Sequence, residues 1–428
     1  MDNGQSLLEK EAYTSLEWFK KEQALIFGNT WQFAGLEEDL KAPGDFLNVQ
    51  CGLQNIMVIR GEDHQLKAFH NLCRHRGAQL LRPVGKSKKV LVCPYHDWVY
   101  NLDGQLIKVP GKDEEFPGLD LSRICLHKAS VGIWRGIIWV HSKPDAPALT
   151  TWFEGLSSHL GPHNPERLIE YPGTNYDRVV NANWKILVEN YIDVYHLSHL
   201  HSHTLKMYDH TKAVFGFKNN HFYFHEPLAE IYQAHLDRLI PYKRIAEMTD
   251  PHLGAYVPWL FPTLGLSESE CMWNIFHLEP LTPETTRVRI RTKMEPMSQA
   301  EYDKQAQKSE KSWSKIMGKG TKFNSKSEED PFASWDFMEE DIYACEQQQR
   351  AMNTPLPIHV HYAAHREKPI VSFQQLIRHW LTQANHSEET PCLIFSSDTT
   401  ERFLGNTQHG GHIPQVYPLS HIREKGKQ

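Results

Sequence analysis

Two short stretches, Cys73-Arg-His75 and Cys93-Pro-Tyr-His96, each offer one thiolate and one imidazole, with 17 residues between His75 and Cys93. No other feature constrains the fold of this 428-residue chain as tightly, because two loops must deliver four donors to one place. Zinc fingers usually pair like with like, Cys with Cys and His with His. Here a Cys-x-His spacing would crowd a single tetrahedral ion. The alternating order suits two irons, both thiolates on one and both imidazoles on the other, the mixed ligation of a middle-potential [2Fe-2S] centre. Neutral imidazoles in place of two thiolates reduce the cluster's negative charge and raise its potential, which makes it an electron relay. A Cys2His2 zinc site is the competing reading, since ligand type alone does not separate iron from zinc. Between Cys73 and His96 lie Arg74, Arg76, Arg82, Lys86, Lys88 and Lys89 and no acid. That stretch is either a docking face for an acidic electron donor or a solvated basic loop.

A second set of donors follows in Asn183-Trp-Lys-Ile-Leu-Val-Glu-Asn190-Tyr-Ile-Asp193-Val-Tyr-His196-Leu-Ser-His199-Leu-His201-Ser-His203. Non-haem iron enzymes that activate O2 use two histidines and one carboxylate on one face of the metal, leaving positions open. By helix geometry His199, three residues after His196, is better placed than His201, so a His196/His201 pair requires the helix to end or unwind. The bland reading makes His199 and His203 exposed histidines of a polar turn, with none of the four binding metal. A distant carboxylate is needed, and Glu339-Glu340-Asp341 is a candidate, although three acids near a helix start also favour its dipole.

The remaining texture predicts two architectures. Apolar residues between Ser6 and Phe27 recur at helical intervals, and Gly28-Asn29 stops them. Short β-type runs follow at Gln54–Arg60, Leu66–Leu72, Val90–Cys93, Trp98–Asn101 and Ile137–His141, which predict a small antiparallel domain. Lys143-Pro-Asp-Ala-Pro reads as a boundary. Beyond it come a helix over Asn183–Leu200, strands over Ala213–Glu226, Cys271–Glu279 and Thr286–Glu295, and helices over Gln299–Met317 and Trp335–Met352, an α+β pattern, and periodicity is lost after Phe373–Gln383. Forty-six Lys and Arg against 52 Asp and Glu give a formal charge of -6, which does not favour nucleic acid or an anionic membrane. Seven scattered cysteines argue against a disulfide framework. With no apolar leader and no span of about 20 apolar residues, a cytoplasmic protein is expected.

Both constellations, in this order and separation, resemble the Rieske non-haem iron oxygenases: the α subunits of ring-hydroxylating dioxygenases and the related choline- and carnitine-type monooxygenases. The resemblance covers residues 20–383 and rests on CRHRG, CPYHDW, NWK...EN, D-x2-H-x4-H and EEDIYACEQQQ. It implies that Cys73, His75, Cys93 and His96 bind the [2Fe-2S] cluster, and that His196, His201 and Asp341 bind a mononuclear Fe(II). Asp193 then matches the catalytic acid that bridges an iron histidine to a cluster histidine of the neighbouring subunit, in a head-to-tail homotrimer. The implied fold is an antiparallel β Rieske domain at 38–155 and a helix-grip catalytic domain at 156–383. N-terminal helices at 1–37 would pack on the catalytic domain, and 384–428 would be an irregular tail.

The resemblance also implies the reaction, oxygenation of a small organic substrate with O2. Electrons would come from NAD(P)H through a separate reductase or ferredoxin, and indeed the chain carries neither a G-x-G-x-x-G fingerprint nor a plant-type ferredoxin cysteine run. Many quaternary-ammonium members carry Glu at the bridging position, so Asp193 tilts the expectation toward hydroxylation of an aromatic or carboxylated substrate. N- or O-demethylation of a betaine-like compound is the alternative; Tyr256, Trp259, Trp273 or Phe276 would then face the cation, although ordinary core is the commoner place for such side chains. A Rieske electron carrier without oxygenase activity is the rival from another class. Two departures stand out: Gln349-Arg350-Ala351, where members often have Gln-Arg-Gly, and the His-rich run His359-Val-His-Tyr-Ala-Ala-His365.

Overall fold

The computed structural model describes residues 6–82, 84–86, 89–171, 175–316 and 336–382. Lys88 and the expected tail at 384–428 lie outside them. The chain divides into two compact units, one built on Lys20–Glu154 and the other on Gly155–His379 together with the chain up to Phe19.

The first unit is antiparallel β throughout. Seven strands pair in the order Gln32–Leu36, Ile137–His141, Lys128–Trp134, Leu66–His70, Gln54–Arg60, Asp45–Cys51 and Val84–Lys86. The helical periodicity stops at Gly28-Asn29, and within the 1–37 segment that the resemblance gives to N-terminal helices, Gln32–Leu36 is instead an edge strand registered on Ile137–Val140. Five residues with four buried do not fill a helical face, and pairing with the fully buried Ile137–His141 strand decides their conformation. A smaller sheet joins Val90–Val92, Val99–Asn101 and Leu106–Lys108. Its Leu91, Tyr100 and Leu106 pack with Phe46, Met57, Ile59 and Phe69 of the large sheet, and both Cys73 and Cys93 are part of that core.

The second unit wraps helices around a nine-stranded antiparallel sheet whose centre is the long hairpin Met272–Thr282/Thr285–Met294. Alternation makes this hairpin: Thr286, Val288, Ile290 and Thr292 point inward while Arg287, Arg289 and Arg291 point out to carboxylates such as Asp177 and Glu170. The Trp184–Ile192 helix packs on the Met272–Thr282 strand and on the Phe337–Met352 helix. It is buried nearly all round, at Trp184, Lys185, Ile186, Leu187, Val188, Glu189 and Ile192. Asn183 fixes its start. The side-chain oxygen accepts from Lys185 N–H at 2.9 Å, its amide donates to Pro283 O at 2.6 Å, and its backbone N–H donates to Gln349 Oε1 at 2.7 Å.

This helix is shorter than its sequence pattern predicts. Asp193 already has extended ψ of 122°, and Val194 N–H leaves the helical ladder to donate to Arg366 O. The polar run from Asp193 to His203, unable to bury a continuous apolar face, follows as turns.

Glu189 lies inside this packing, its Oε1 accepting from Tyr13 Oη at 2.7 Å and Gln374 Nε2 at 2.9 Å. Burial pushes its carboxyl up from 4.5 to about 7, against the opposing pull of those two donors and of Lys185. The protonated acid is therefore favoured in the folded state, and the associated stability, full below about pH 4.5, is lost as pH rises through 7. Glu189→Gln should flatten Tm against pH between pH 5 and 8 and leave the variant at least as stable as the parent at pH 8; an unchanged slope would rule out Glu189 as the group responsible.

Candidate functional site

The two donor loops of the first unit close by the same turn. Cys73 N–H donates to Ala78 O and Gly77 N–H to Cys73 O; correspondingly, Cys93 N–H donates to Trp98 O and Asp97 N–H to Cys93 O. Each turn needs a left-handed residue at the fourth position after the first cysteine: Gly77 at φ +77° and Asp97 at φ +55°. Aspartate tolerates that region better than most side chains do, which explains why the second loop manages without glycine.

These turns bury Cys73 and Cys93 and bring them face to face, while the rings of His75 and His96 meet edge-on with centroids 4.7 Å apart. His75 also stacks on Trp98 at 4.9 Å, and Tyr95 covers His96 at 3.7 Å. Burial, with His96 and Arg76 close by, holds His75 below the usual imidazole range, a shift toward the neutral form that ligates metals. Burial raises the Cys73 thiol, and the Tyr100 hydroxyl lies 3.3 Å from its Sγ. His96 Nδ1 is buried without a hydrogen-bond partner among the described residues. No three of the four donors come within 4.8 Å of one another. A tetrahedral zinc, with bonds of roughly 2.0 to 2.3 Å, would hold all four donors closer than that. Two like pairs, set apart, fit a two-iron cluster instead.

In the second unit, one group of three His, Cys, Asp or Glu side chains among the described residues does meet that limit: His196, His201 and Asp341. His201 Nε2 lies 3.0 Å and His196 Nε2 3.6 Å from Asp341 Oδ1. His201 is buried, whereas His199 is exposed with its ring against Tyr195. The end of the Trp184–Ile192 helix is what reverses the preference that helical spacing gives His199. Of the three acids at 339–341, Glu339 turns out to Arg178 at 2.9 Å, Glu340 reaches His201 Nδ1 at 2.8 Å, and Asp341 faces both imidazoles. Burial disfavours a charged His201, but Asp341 and Glu340 outweigh it and lift the ring to about 9. The same field attracts a divalent cation, and Asp341 itself, despite burial, is held below the ordinary carboxylate range by His201, His196 and Asn190.

Asp193 Oδ2 lies 3.0 Å from His196 Nδ1, too bent for a formed hydrogen bond, while its Oδ1 accepts from Tyr195 N–H at 2.6 Å. Asn190, quoted above only as part of a motif, donates Nδ2 to Asp341 Oδ1 at 3.1 Å. The His359, His361 and His365 run brings no three metal-ligand donors together among the described residues.

A cavity of about 180 Å³ opens beside the triad. Its wall includes Leu187, Phe222, Phe224, Trp259, Phe276 and Phe337, with Tyr208 and Glu226 also lining it. Of the four aromatics weighed between a cation site and ordinary core, Trp259 and Phe276 line it and Trp273 and Tyr256 do not. Trp273 is fully buried elsewhere, and Tyr256 stacks on His225. Glu226 was not legible as a site residue. It is 3% exposed at the end of the His221–Glu226 strand, and its Oε2 accepts from His210 Nδ1 at 2.6 Å. No lysine or arginine lines the cavity.

The family profile described as ring hydroxylating alpha subunit (catalytic domain) matches residues 165–383, just over half of the chain. The chain belongs to this family. A Rieske [2Fe-2S] domain profile matches residues 30–130 as well. The glycine betaine monooxygenase oxygenase subunit of Chromohalobacter salexigens is 34% identical over 47% of this chain and 44% of its own length. The chlorobenzene dioxygenase subunit alpha of Cupriavidus sp. strain PS12 is 32% identical over 43% and 42%. The chain thus spans less than half the length of these relatives. The carnitine monooxygenase oxygenase subunit of Escherichia coli K12 is 25% identical over 64% and 71%. Among solved structures, the quaternary ammonium Rieske monooxygenase CntA bound to an inhibitor superposes with a TM-score of 0.68 at 22% identity, covering 89% of this chain and 96% of that one. Naphthalene 1,2-dioxygenase with indole gives 0.63 at 18%, covering 89% and 95%. Their shared fold is this alpha-subunit fold. Among the described residues no helix is long and apolar enough to cross a membrane.

The contrast between His201 and His199 is directly testable. His201→Ala should lose mononuclear iron from an otherwise folded chain while His199→Ala retains it, measured by metal analysis against cluster absorbance; equal retention would contradict the triad.

Proposed function

We propose that the chain is the terminal oxygenase component of a multicomponent Rieske system acting on a small methylated ammonium compound. Cys73, His75, Cys93 and His96 would hold the [2Fe-2S] cluster, and His196, His201 and Asp341 the mononuclear iron. When bound, these centres supply single electrons and O2 activation. The protein's own part is placement. Asn190 steadies the Asp341 carboxylate, Asp193 faces the ring of His196, and the aromatic walls exclude water from the cavity. Assembly as a head-to-tail homotrimer would set His96 of one subunit against Asp193 of the next, with a separate reductase or ferredoxin as electron donor.

One observation carries the substrate class: the triad opens on an aromatic cavity that contains a buried carboxylate, Glu226, and no lysine or arginine. Aromatic faces and a carboxylate attract a cation, and inside a water-poor cavity that attraction is worth about 2 kcal/mol or more. An isolated substrate carboxylate would meet no cationic partner in this wall. The glycine betaine and carnitine monooxygenase relatives agree with a cation, which reverses the tilt toward an aromatic or carboxylated substrate drawn from Asp193. The apolar wall leaves aromatic hydroxylation as the second reading, supported by the chlorobenzene dioxygenase relative.

O2 uptake with a surrogate reductase decides between them. Choline, glycine betaine and dimethylglycine should stimulate uptake with release of formaldehyde or an alcohol product, whereas toluene and benzoate should not. Stimulation by the hydrocarbon alone would establish the second reading, and no stimulation with an intact cluster would leave an electron carrier. Glu226→Gln should raise KM for the ammonium substrate about tenfold, a loss of about 1.4 kcal/mol.

A further inference from the structure

His201 is gripped from both sides. Its Nε2 faces Asp341 Oδ1 at 3.0 Å, and its Nδ1 lies 2.8 Å from Glu340 Oε2. The two carboxylates are consecutive residues of the Phe337–Met352 helix, about 100° apart around its axis. The longer glutamate side chain reaches round to the far edge of the ring. Thr204, fully buried three residues after His201, donates Oγ1 to the same Glu340 oxygen at 2.7 Å.

Glu340 is a costly residue to place here. It is 1% exposed, and no lysine or arginine pairs with it among the described residues. Desolvating a carboxylate costs several kcal/mol unless a counter-charge and hydrogen bonds compensate. The two donors named above satisfy one oxygen, and once His201 binds a metal through Nε2, its neutral ring and the Thr204 hydroxyl supply no net positive charge. A cation held by His201 and Asp341 would supply it.

We propose that Glu340, assisted by Thr204, is the positioning residue that builds the mononuclear metal site: it fixes the proton of His201 on Nδ1, aims the Nε2 lone pair at the space beside Asp341, and adds the charge that draws in a divalent cation. His196 receives weaker support, because Asp193 meets its Nδ1 at a bent angle from a less buried position. The two histidines are therefore unequal. His201 is the anchored ligand, and its grip depends on Glu340.

The inference rests on the metal site assigned above, and its test separates the two. The full chain with its cluster intact is stripped of mononuclear iron and titrated anaerobically with Co(II) as an optical probe and with Fe(II). Second-layer carboxylates of this kind govern metal affinity by roughly 10- to 100-fold. Glu340→Gln, isosteric but uncharged, should weaken both metals about tenfold, Glu340→Ala about a hundredfold, and Thr204→Val by a smaller factor, with cluster absorbance unchanged in all three. Metal-free Tm should hold in Glu340→Gln while the rise in Tm on adding Co(II) shrinks. Affinities within twofold of the parent in both Glu340 variants would overturn the inference, as would a fall in metal-free Tm with affinity intact, the mark of a structural role alone. If the parent chain itself binds neither metal, the site assignment fails, and this inference with it.

Discussion

Two adjacent carboxylates, Glu340 and Asp341, converge on one buried imidazole, and most of the catalytic unit is arranged to make that possible. Anions buried this closely repel each other and lose their hydration, so each must be answered locally. Asp341 is answered by His201, His196 and Asn190; Glu340 by His201 and Thr204. Those partners come from two stretches, the Trp184–Ile192 helix and the turns after Asp193, and they face the Phe337–Met352 helix that carries both acids. Asn183, pinned to Gln349 and Pro283, fixes the first helix against the last, and its termination at Asp193 frees the chain that carries both histidines.

The cluster loops solve a different problem with a simpler device. A single turn type, used twice, presents one thiolate and one imidazole from each loop, and the large and small sheets hold the two turns in a shared apolar core. Like donors end up together. Buried sulfurs and outward imidazoles sort the two pairs in a way that sequence order alone only hinted at.

Much of this was legible in the residues. Gln54–Arg60, Ile137–His141 and the 272–294 hairpin follow from alternation, because period two and a buried neighbour leave little choice. The donor loops were legible because their spacing is local. What spacing misjudged was non-local. Helical periodicity favours His199 over His201, and only the departure of Val194 N–H to Arg366 O reverses it. Gln32–Leu36 was not among the β-type runs that alternation picked out, and it is a strand because Ile137–Val140 offers it an edge more than a hundred residues away. Glu340 was visible as one of three acids, yet its direction is set by the helix phase. Glu226 carried no signal at all, being an acid at the end of an otherwise ordinary strand.

The central claim is that this one chain carries two distinct iron centres, built from four donors in two pairs and three donors in a triad. Iron, zinc and acid-labile sulfide determined together on the full chain, purified without added metal and then loaded anaerobically with Fe(II), test it most directly. A two-iron cluster plus one mononuclear site should give about three irons and two sulfides per chain, with broad visible absorbance and negligible zinc. Zinc without sulfide would contradict the cluster, and two irons with two sulfides would contradict the triad.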